Sequence, residues 1–147
     1  MSFWRLNSDR AIAPTRGTPG SAGWDLYAEE DITIKHEDGN VLVKLTVSLA
    51  PGTMGKNVAY ARVAPRSGNA IKHVTVDAGV IDSDYINNIG VVLRVVKPDA
   101  EVKFERGMRI AQLLFEVLYD VEAAFAAGAA AYAPSLATHT GFGSTGQ

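Results

Sequence analysis

The chain has 147 residues (15.7 kDa), 47% of them hydrophobic and 20% charged, with a mean hydropathy of +0.04, which fits one compact domain and argues against extensive disorder. Its formal net charge of −2 gives no overall basic field for a nucleic-acid polymer or an anionic membrane, so a phosphate-bearing ligand needs a local site. The absence of Cys excludes disulfide scaffolds, thiolate zinc sites and Cys nucleophiles, and suits a reducing compartment without requiring one.

At the N-terminus, Asp9 and Arg10 interrupt any apolar signal-like run. No stretch approaches the roughly 18–20 apolar residues needed to cross a bilayer. The expectation is a soluble protein, cytoplasmic or otherwise intracellular. Val41, Val43, Leu45, Val47 and Leu49 alternate with Leu42, Lys44, Thr46 and Ser48, the pattern of one half-buried strand. Asp38-Gly39, just before it, signals a hairpin. A Pro51-Gly52 turn leads to a strand over residues 57–63. A β-branched run over 89–96 stops before Pro98-Asp99, and residues 102–104 and 110–118 form two more strands about a turn at Gly107. Short strands at this spacing predict an all-β, antiparallel sandwich or barrel. Residues 122–131 are Ala-rich and interrupted by Gly128, which leaves a short helix and a loose tether equally open. The β domain is therefore assigned to residues 1–132. Residues 133–147 have little with which to build a core and read either as a frayed terminus or as a flexible arm that orders over a ligand.

Several segments have compositions suited to chemistry. Gly141-Phe-Gly-Ser-Thr-Gly146 matches G-x-G-x-x-G but lacks the following helix and acidic residue of a dinucleotide fold. Its small residues would still let backbone N–H groups and hydroxyls approach an anion. Gly52-Thr-Met-Gly-Lys56 is too short for a P-loop and reads as a turn. Ala64-Pro-Arg-Ser-Gly-Asn69 is either an ordinary polar turn or a phosphate-binding turn built from a guanidinium fork and a hydroxyl. In Gly79-Val-Ile-Asp-Ser-Asp-Tyr85, Asp82 borders an apolar pair, where desolvation suits a general base. Tyr85 three residues on suits stacking on a sugar or base, and a plain hairpin with a core Tyr explains the same spacing. Asp25, within Ala22-Gly-Trp-Asp-Leu26, reads as metal-facing or as a hydrogen-bonded structural carboxylate. Arg109 and Gln112 are an odd number of residues apart on one strand, so they should face opposite sides. One would then reach a ligand while the other braces the fold. His36, His73 and His139 have no paired spacing for zinc, and no Ser/His/Asp pattern stands out.

In this order the segments resemble the five motifs of the homotrimeric dUTPases. They are Ser21-Ala-Gly-Trp-Asp-Leu-Tyr-Ala28, Ala64-Pro-Arg-Ser-Gly68, Gly79-Val-Ile-Asp-Ser-Asp-Tyr85, Arg109-Ile-Ala-Gln-Leu113 and Gly141-Phe-Gly-Ser-Thr-Gly146, together spanning residues 21–146. The resemblance implies a jelly-roll-like β-barrel, a homotrimer with active sites shared between subunits, and Mg²⁺-assisted hydrolysis of dUTP to dUMP and pyrophosphate. It implies that Asp82 is the general base toward the water attacking the α-phosphorus, and that Tyr85 stacks on the deoxyribose and excludes a 2′-hydroxyl. The backbone from Gly79 through Val80 and Ile81 to Gly90 would read uracil, while Arg66, Ser67, Gly68 and Gln112 would hold phosphates. Asp25 would orient Mg²⁺ through water. Phe142 would cap the base, with Gly143, Ser144 and Thr145 closing on the γ-phosphate.

The sequence also departs from the family pattern. Ala137 stands where an Arg usually opens the fifth motif, and Thr138 and Thr140 fall where glycines are usual. The γ-phosphate clamp is then weaker, or His139 or another basic residue substitutes. Asn87 replaces a Gly, Trp24 a Tyr, and Met108 an acidic residue. Two other readings remain: a dCTP deaminase of the same fold, and a non-catalytic dUTPase-like nucleotide-binding or regulatory protein.

Overall fold

The computed structural model describes residues 2–56 and 58–132. Alternating apolar residues and frequent turns give a succession of short strands: β1 (Trp4–Leu6), β2 (Gly23–Tyr27), β3 (Ile32–Lys35), β4 (Val41–Lys44), β5 (Val47–Leu49), β6 (Ala59–Ala64), β7 (Val74–Ala78), β8 (Val80–Ile81), β9 (Gly90–Val95), β10 (Glu101–Phe104) and β11 (Arg109–Val117). Helix α1 (Ser67–Ile71) follows β6, and α2 (Val121–Tyr132) follows β11. The strands form four sheets, β1-β5, β10-β3, β2-β11-β6-β8 and β4-β9-β7. All of these pairs are antiparallel. The all-β, jelly-roll-like class expected from the sequence is the class observed.

One apolar cluster unites the sheets. Leu26, Ile34, Val47, Leu93, Ile110 and Leu113 are among its fully buried members, drawn from five strands. Because side chains alternate across a strand, each short strand contributes at most three buried residues to this interior. The fold therefore depends on pairings distant in sequence, such as Trp4 with Leu49 and Gln112 with Asp25.

Two local expectations are corrected. The alternating run from Val41 to Leu49 is not one strand. It bends at Leu45–Thr46, sending β4 to pair with β9 and β5 to pair with β1. The bend is held by the buried Glu29 carboxylate, which accepts hydrogen bonds from the Thr46 backbone N–H (2.8 Å) and hydroxyl (2.7 Å). Alternation survives the bend because both strands keep the same residues inward. Nor does Asp38-Gly39 close a hairpin: β3 pairs with β10 and β4 with β9. Residues His36–Asp38 form a 3₁₀ turn, stapled by the Asp38 carboxylate on the Lys35 N–H (2.7 Å) and ended by Gly39 at φ 64°. This short corner carries the chain from one sheet to another.

The Ala-rich segment forms α2. Asp120 caps it, its carboxylate accepting from the Ala123 N–H at 3.0 Å. That cap settles the choice that composition left open. Observed strand ends differ by one or two residues from those expected, with β6 beginning at Ala59 and β11 at Arg109. Among the described residues, no helix is long and apolar enough to cross a membrane. The arm assigned to residues 133–147 lies outside the described residues.

Candidate active site

A cavity of about 290 Å³ opens where the ends of β2, β6 and β11 meet. Asp25 from β2 and Arg66 and Ser67 from the turn after β6 line it, as do Arg109 and Gln112 from β11. Gly17, Ser21 and Gly23 complete its wall. The first, second and fourth sequence segments thus converge in three dimensions.

Asp25 is the electrostatic centre. Its side chain is only 14% exposed; one carboxylate oxygen accepts a hydrogen bond from Arg66 Nε at 2.8 Å, and the other lies 3.6 Å from Arg109 Nε. Both guanidiniums keep other N–H donors, so they can meet a phosphate while anchored to the carboxylate. Pro65 ends β6 and forces extended backbone, after which α1 begins at Ser67. Ser67 and Gly68 are exposed at that turn, and a Cβ added at Gly68 would meet nothing within 4 Å.

Gln112 reaches across the cavity floor and donates from Nε2 to the Pro65 carbonyl at 2.8 Å. Gly23 makes this possible, since any Cβ there would collide with the Gln112 side chain. The loop before β2 is folded by Arg16, which donates to the carbonyls of Pro19 (2.7 Å) and Ser21 and stands 5.7 Å over the Trp24 ring.

Arg109 and Gln112 do not face opposite sides as their odd spacing predicts. The pairing of β11 with β2 shifts register between Arg109 and Ala111, and both residues line the same cavity. A bulge adds one residue, and with it the parity of every side chain beyond it changes. Asn69 secures the shift: almost wholly buried, it donates from Nδ2 to the carbonyls of Arg109 (3.0 Å) and Ile110 (3.2 Å). The sequence reading did not single out Asn69, and Asn directly after a polar turn, where an apolar helix residue would ordinarily pack, was the available signal. Arg16 was missed for want of any local pattern.

The third segment lies elsewhere. Val80 pairs with Arg62 and Ile81 with Ala61, so Asp82 follows at the level of Tyr60, four residues back along β6 from Ala64. At a rise of about 3.4 Å per residue, that separates it by about 14 Å from the end of β6 at the cavity. Asp82 is exposed in the chain, so the bordering Val80-Ile81 pair does not by itself enclose it. Tyr85 is no core residue: it is 38% exposed, and its hydroxyl donates to the Asn88 carbonyl at 2.9 Å, which fixes the ring at the loop tip. Gly79 accepts from the Val63 N–H, and Gly90 opens β9 beside Leu42, whose side-chain end would have to shift for a Cβ. Tyr60, Arg62 and Glu116 form a polar trio nearby on β6 and β11. The Arg62 and then the Tyr60 hydrogen bond hold the Glu116 carboxyl below the usual carboxylate range, and Glu116 in turn raises Tyr60. Phe142, Gly143, Ser144, Thr145, Ala137 and His139 lie outside the described residues.

A family model described as dUTPase matches residues 9–146. The chain belongs to the dUTPase family. It is 48% identical over 122 residues to deoxyuridine 5'-triphosphate nucleotidohydrolase of Rattus norvegicus, covering 81% of this chain and 56% of the rat protein. It is 41% identical over 112 residues to the same-named protein of Vaccinia virus (strain Copenhagen), covering 76% of this chain and 72% of the viral one. The chain thus spans just over half the length of the rat relative. The fold is that of a mutant dUTPase from phage phi11 of S. aureus, which coordinates a structural Mg(II) ion; the TM-score is 0.69 at 19% identity, over 80% of this chain and 90% of that one. Against the family, the shared cavity of Asp25, Arg66, Arg109 and Gln112 gives a geometry to three of the five expected motifs.

Proposed function

We propose that the chain hydrolyses dUTP to dUMP and pyrophosphate. The observation that carries this reading is the cavity in which one half-buried carboxylate faces two guanidiniums beside the Ser67–Gly68 turn. A triphosphate needs charge neutralisation and positioning more than covalent help, and this donor set supplies both. Arg66, Ser67, Gly68 and Gln112 bind the phosphate oxygens, and Arg109 adds a second positive charge. Asp82 accepts a proton from water as the water oxygen bonds to the α-phosphorus. The bond from that phosphorus to its bridging oxygen breaks, and pyrophosphate leaves. Tyr85, fixed at the loop tip by its bond to Asn88, packs on the deoxyribose, and the backbone from Gly79 to Gly90 reads uracil.

Because Asp82 and Arg66 lie far apart within one chain, the reading requires a site completed by another copy, consistent with a homotrimer. Covering of the exposed loop after β8 by that copy supplies the desolvation a general base needs. The arm, with Phe142, Gly143, Ser144 and Thr145, closes over the nucleotide in this reading. The substrate suits an intracellular nucleotide pool.

Mg²⁺ fits the cavity in one way. Among the described residues no group of three or more His, Asp or Glu side chains converges, and Asp25 is the only carboxylate lining the cavity. Such a donor set suits a cation carried on phosphate oxygens, with bound water facing Asp25, rather than a protein cage. Bound there, it would offset phosphate charge and polarise the reacting phosphoryl group.

The direct test is pyrophosphate release from dUTP, dCTP, dTTP and UTP, with Mg²⁺ and with chelator. Selective, Mg²⁺-stimulated turnover of dUTP is expected. A folded protein that binds dUTP without hydrolysing it would instead be a nucleotide-binding module.

A further inference from the structure

A larger groove, of about 680 Å³, adjoins the phosphate cavity and shares Arg66 and Arg109 with it. Four more basic groups line it, Lys72 and His73 after α1, Lys97 before β10, and Lys103 on β10. Glu101 is the only acidic group in the lining, and it lies 3.5 Å from Lys103 Nζ. Among the described residues neither Lys72 nor Lys97 forms an ion pair. A concave cluster in which cations outnumber carboxylates raises the local concentration of anions even when net charge is slightly negative. In a chain whose overall charge is −2, this concentration of one sign is not explained by composition.

We propose that this groove is a second anion subsite, one that takes a short polyphosphate chain alongside the nucleotide cavity. Its volume is that of a small-molecule site. Its positive field is bounded, because the neighbouring cavity past Glu101 brings in Glu37 and Asp99 against a single Lys35, itself 3.8 Å from Glu37. A nucleic-acid backbone would have to run on over that acidic border, whereas a chain of two or three phosphates ends within the groove. Arg66 and Arg109 are the junction: each is held at Asp25 through Nε, leaving terminal N–H groups for an anion on either side. Lys72 and Lys97 supply point charges at the far end. The subsite stands on this cation cluster and is independent of whether dUTP is hydrolysed.

The test uses inorganic tripolyphosphate as probe. Calorimetric titration of the intact protein, with chelator and about 0.15 M salt to screen distant charges, is compared with that of the Lys72→Gln/Lys97→Gln protein. The KM for dUTP is measured for both. The double replacement is expected to weaken tripolyphosphate binding about tenfold or more, as loss of charge-assisted contacts does. The KM for dUTP should stay within about twofold, because both lysines lie outside the nucleotide cavity and are screened from it. Equal tripolyphosphate affinity in the two proteins would overturn the proposal, since the probe would then sit only in the nucleotide cavity. So would absence of binding to the wild type, or a parallel rise in KM for dUTP, which would indicate a diffuse field and no site. Lysine-dependent tripolyphosphate binding by a protein that does not turn over dUTP would uphold the subsite and refute the hydrolysis reading alone.

Discussion

Asn69 donates its side-chain amide to the carbonyl of Arg109 at 3.0 Å, and the same nitrogen reaches Ile110 at 3.2 Å. One buried side chain thereby ties α1, which presents Ser67 and Gly68, to the register shift that brings Arg109 to Asp25. Asn69→Leu removes the donor and strands two carbonyls, so stability should fall by about 1–3 kcal/mol, read as a denaturation midpoint. Turnover should fall as well, with kcat affected more than KM. A variant with a wild-type midpoint and wild-type kcat would show that the bulge holds its shape without Asn69.

Gly23→Ala tests the floor of the cavity. The added methyl would meet the Gln112 side chain, which must then leave the Pro65 carbonyl. Overpacking of this kind costs about 1–3 kcal/mol. The expected outcome is a lower melting temperature together with a raised KM for dUTP. Gly23→Ala combined with Gln112→Ala should recover part of the stability, because the smaller side chain makes room.

Asp82 and Arg66 can be separated genetically. Asp82→Asn should spare nucleotide binding and lower turnover by roughly 10²–10⁴-fold, the usual worth of general-base help. Arg66→Ala should lose nucleotide affinity. If sites are shared between copies, mixing and reassembling these two inactive proteins restores part of the activity, since some sites then draw Asp82 from one copy and Arg66 from another. A mixture as inactive as its components would argue for sites built within single chains.

Asp25→Asn keeps the shape of the cavity and removes the charge that faces both guanidiniums. The ratio of turnover with Mg²⁺ to turnover with chelator should collapse toward one. Binding of dUTP without metal should tighten, because Arg66 and Arg109 are released to the phosphates. Undiminished Mg²⁺ stimulation would take Asp25 out of any role toward the cation.

Acid lability should carry a contribution from Glu116. Its carboxyl is held low, first by Arg62 and then by Tyr60, so its folded pKa lies below the unfolded one. The stabilisation is therefore present above the unfolded carboxylate value, about 4.3, and is lost as pH falls through the lowered folded value. The trio is partly exposed, so the effect is small and screened by salt. The stability gap between wild type and Glu116→Gln should narrow on acidification and in high salt; a gap constant in both would assign the difference to packing.

Strand content and most of the core were legible because period-2 alternation needs no knowledge of partners: Val41, Leu45, Val47 and Leu49 face inward as their spacing requires. Which strands pair was not legible. The same alternation serves one long strand or two short ones, and the bend at Thr46 is held by groups distant in sequence, Glu29 among them. At the site, residue types were informative and directions were not. The Arg66–Ser67 turn suits phosphate by composition alone, whereas the shared direction of Arg109 and Gln112 depends on a bulge fixed by Asn69. Asp82 carries the opposite lesson: the apolar pair beside it suggests an enclosed carboxylate, and in the chain it is exposed.

The register shift in β11 also sets what the gene can tolerate. Substitutions along this strand are judged one position at a time, by size and polarity. Loss of a single codon between Gly107 and Gln112 is a different event: it would cancel the bulge, set Arg109 and Gln112 on opposite faces and reverse the inward and outward faces on one side of the change, while gain of one would enlarge the bulge. Spelling in this segment is free within limits, but its length is not.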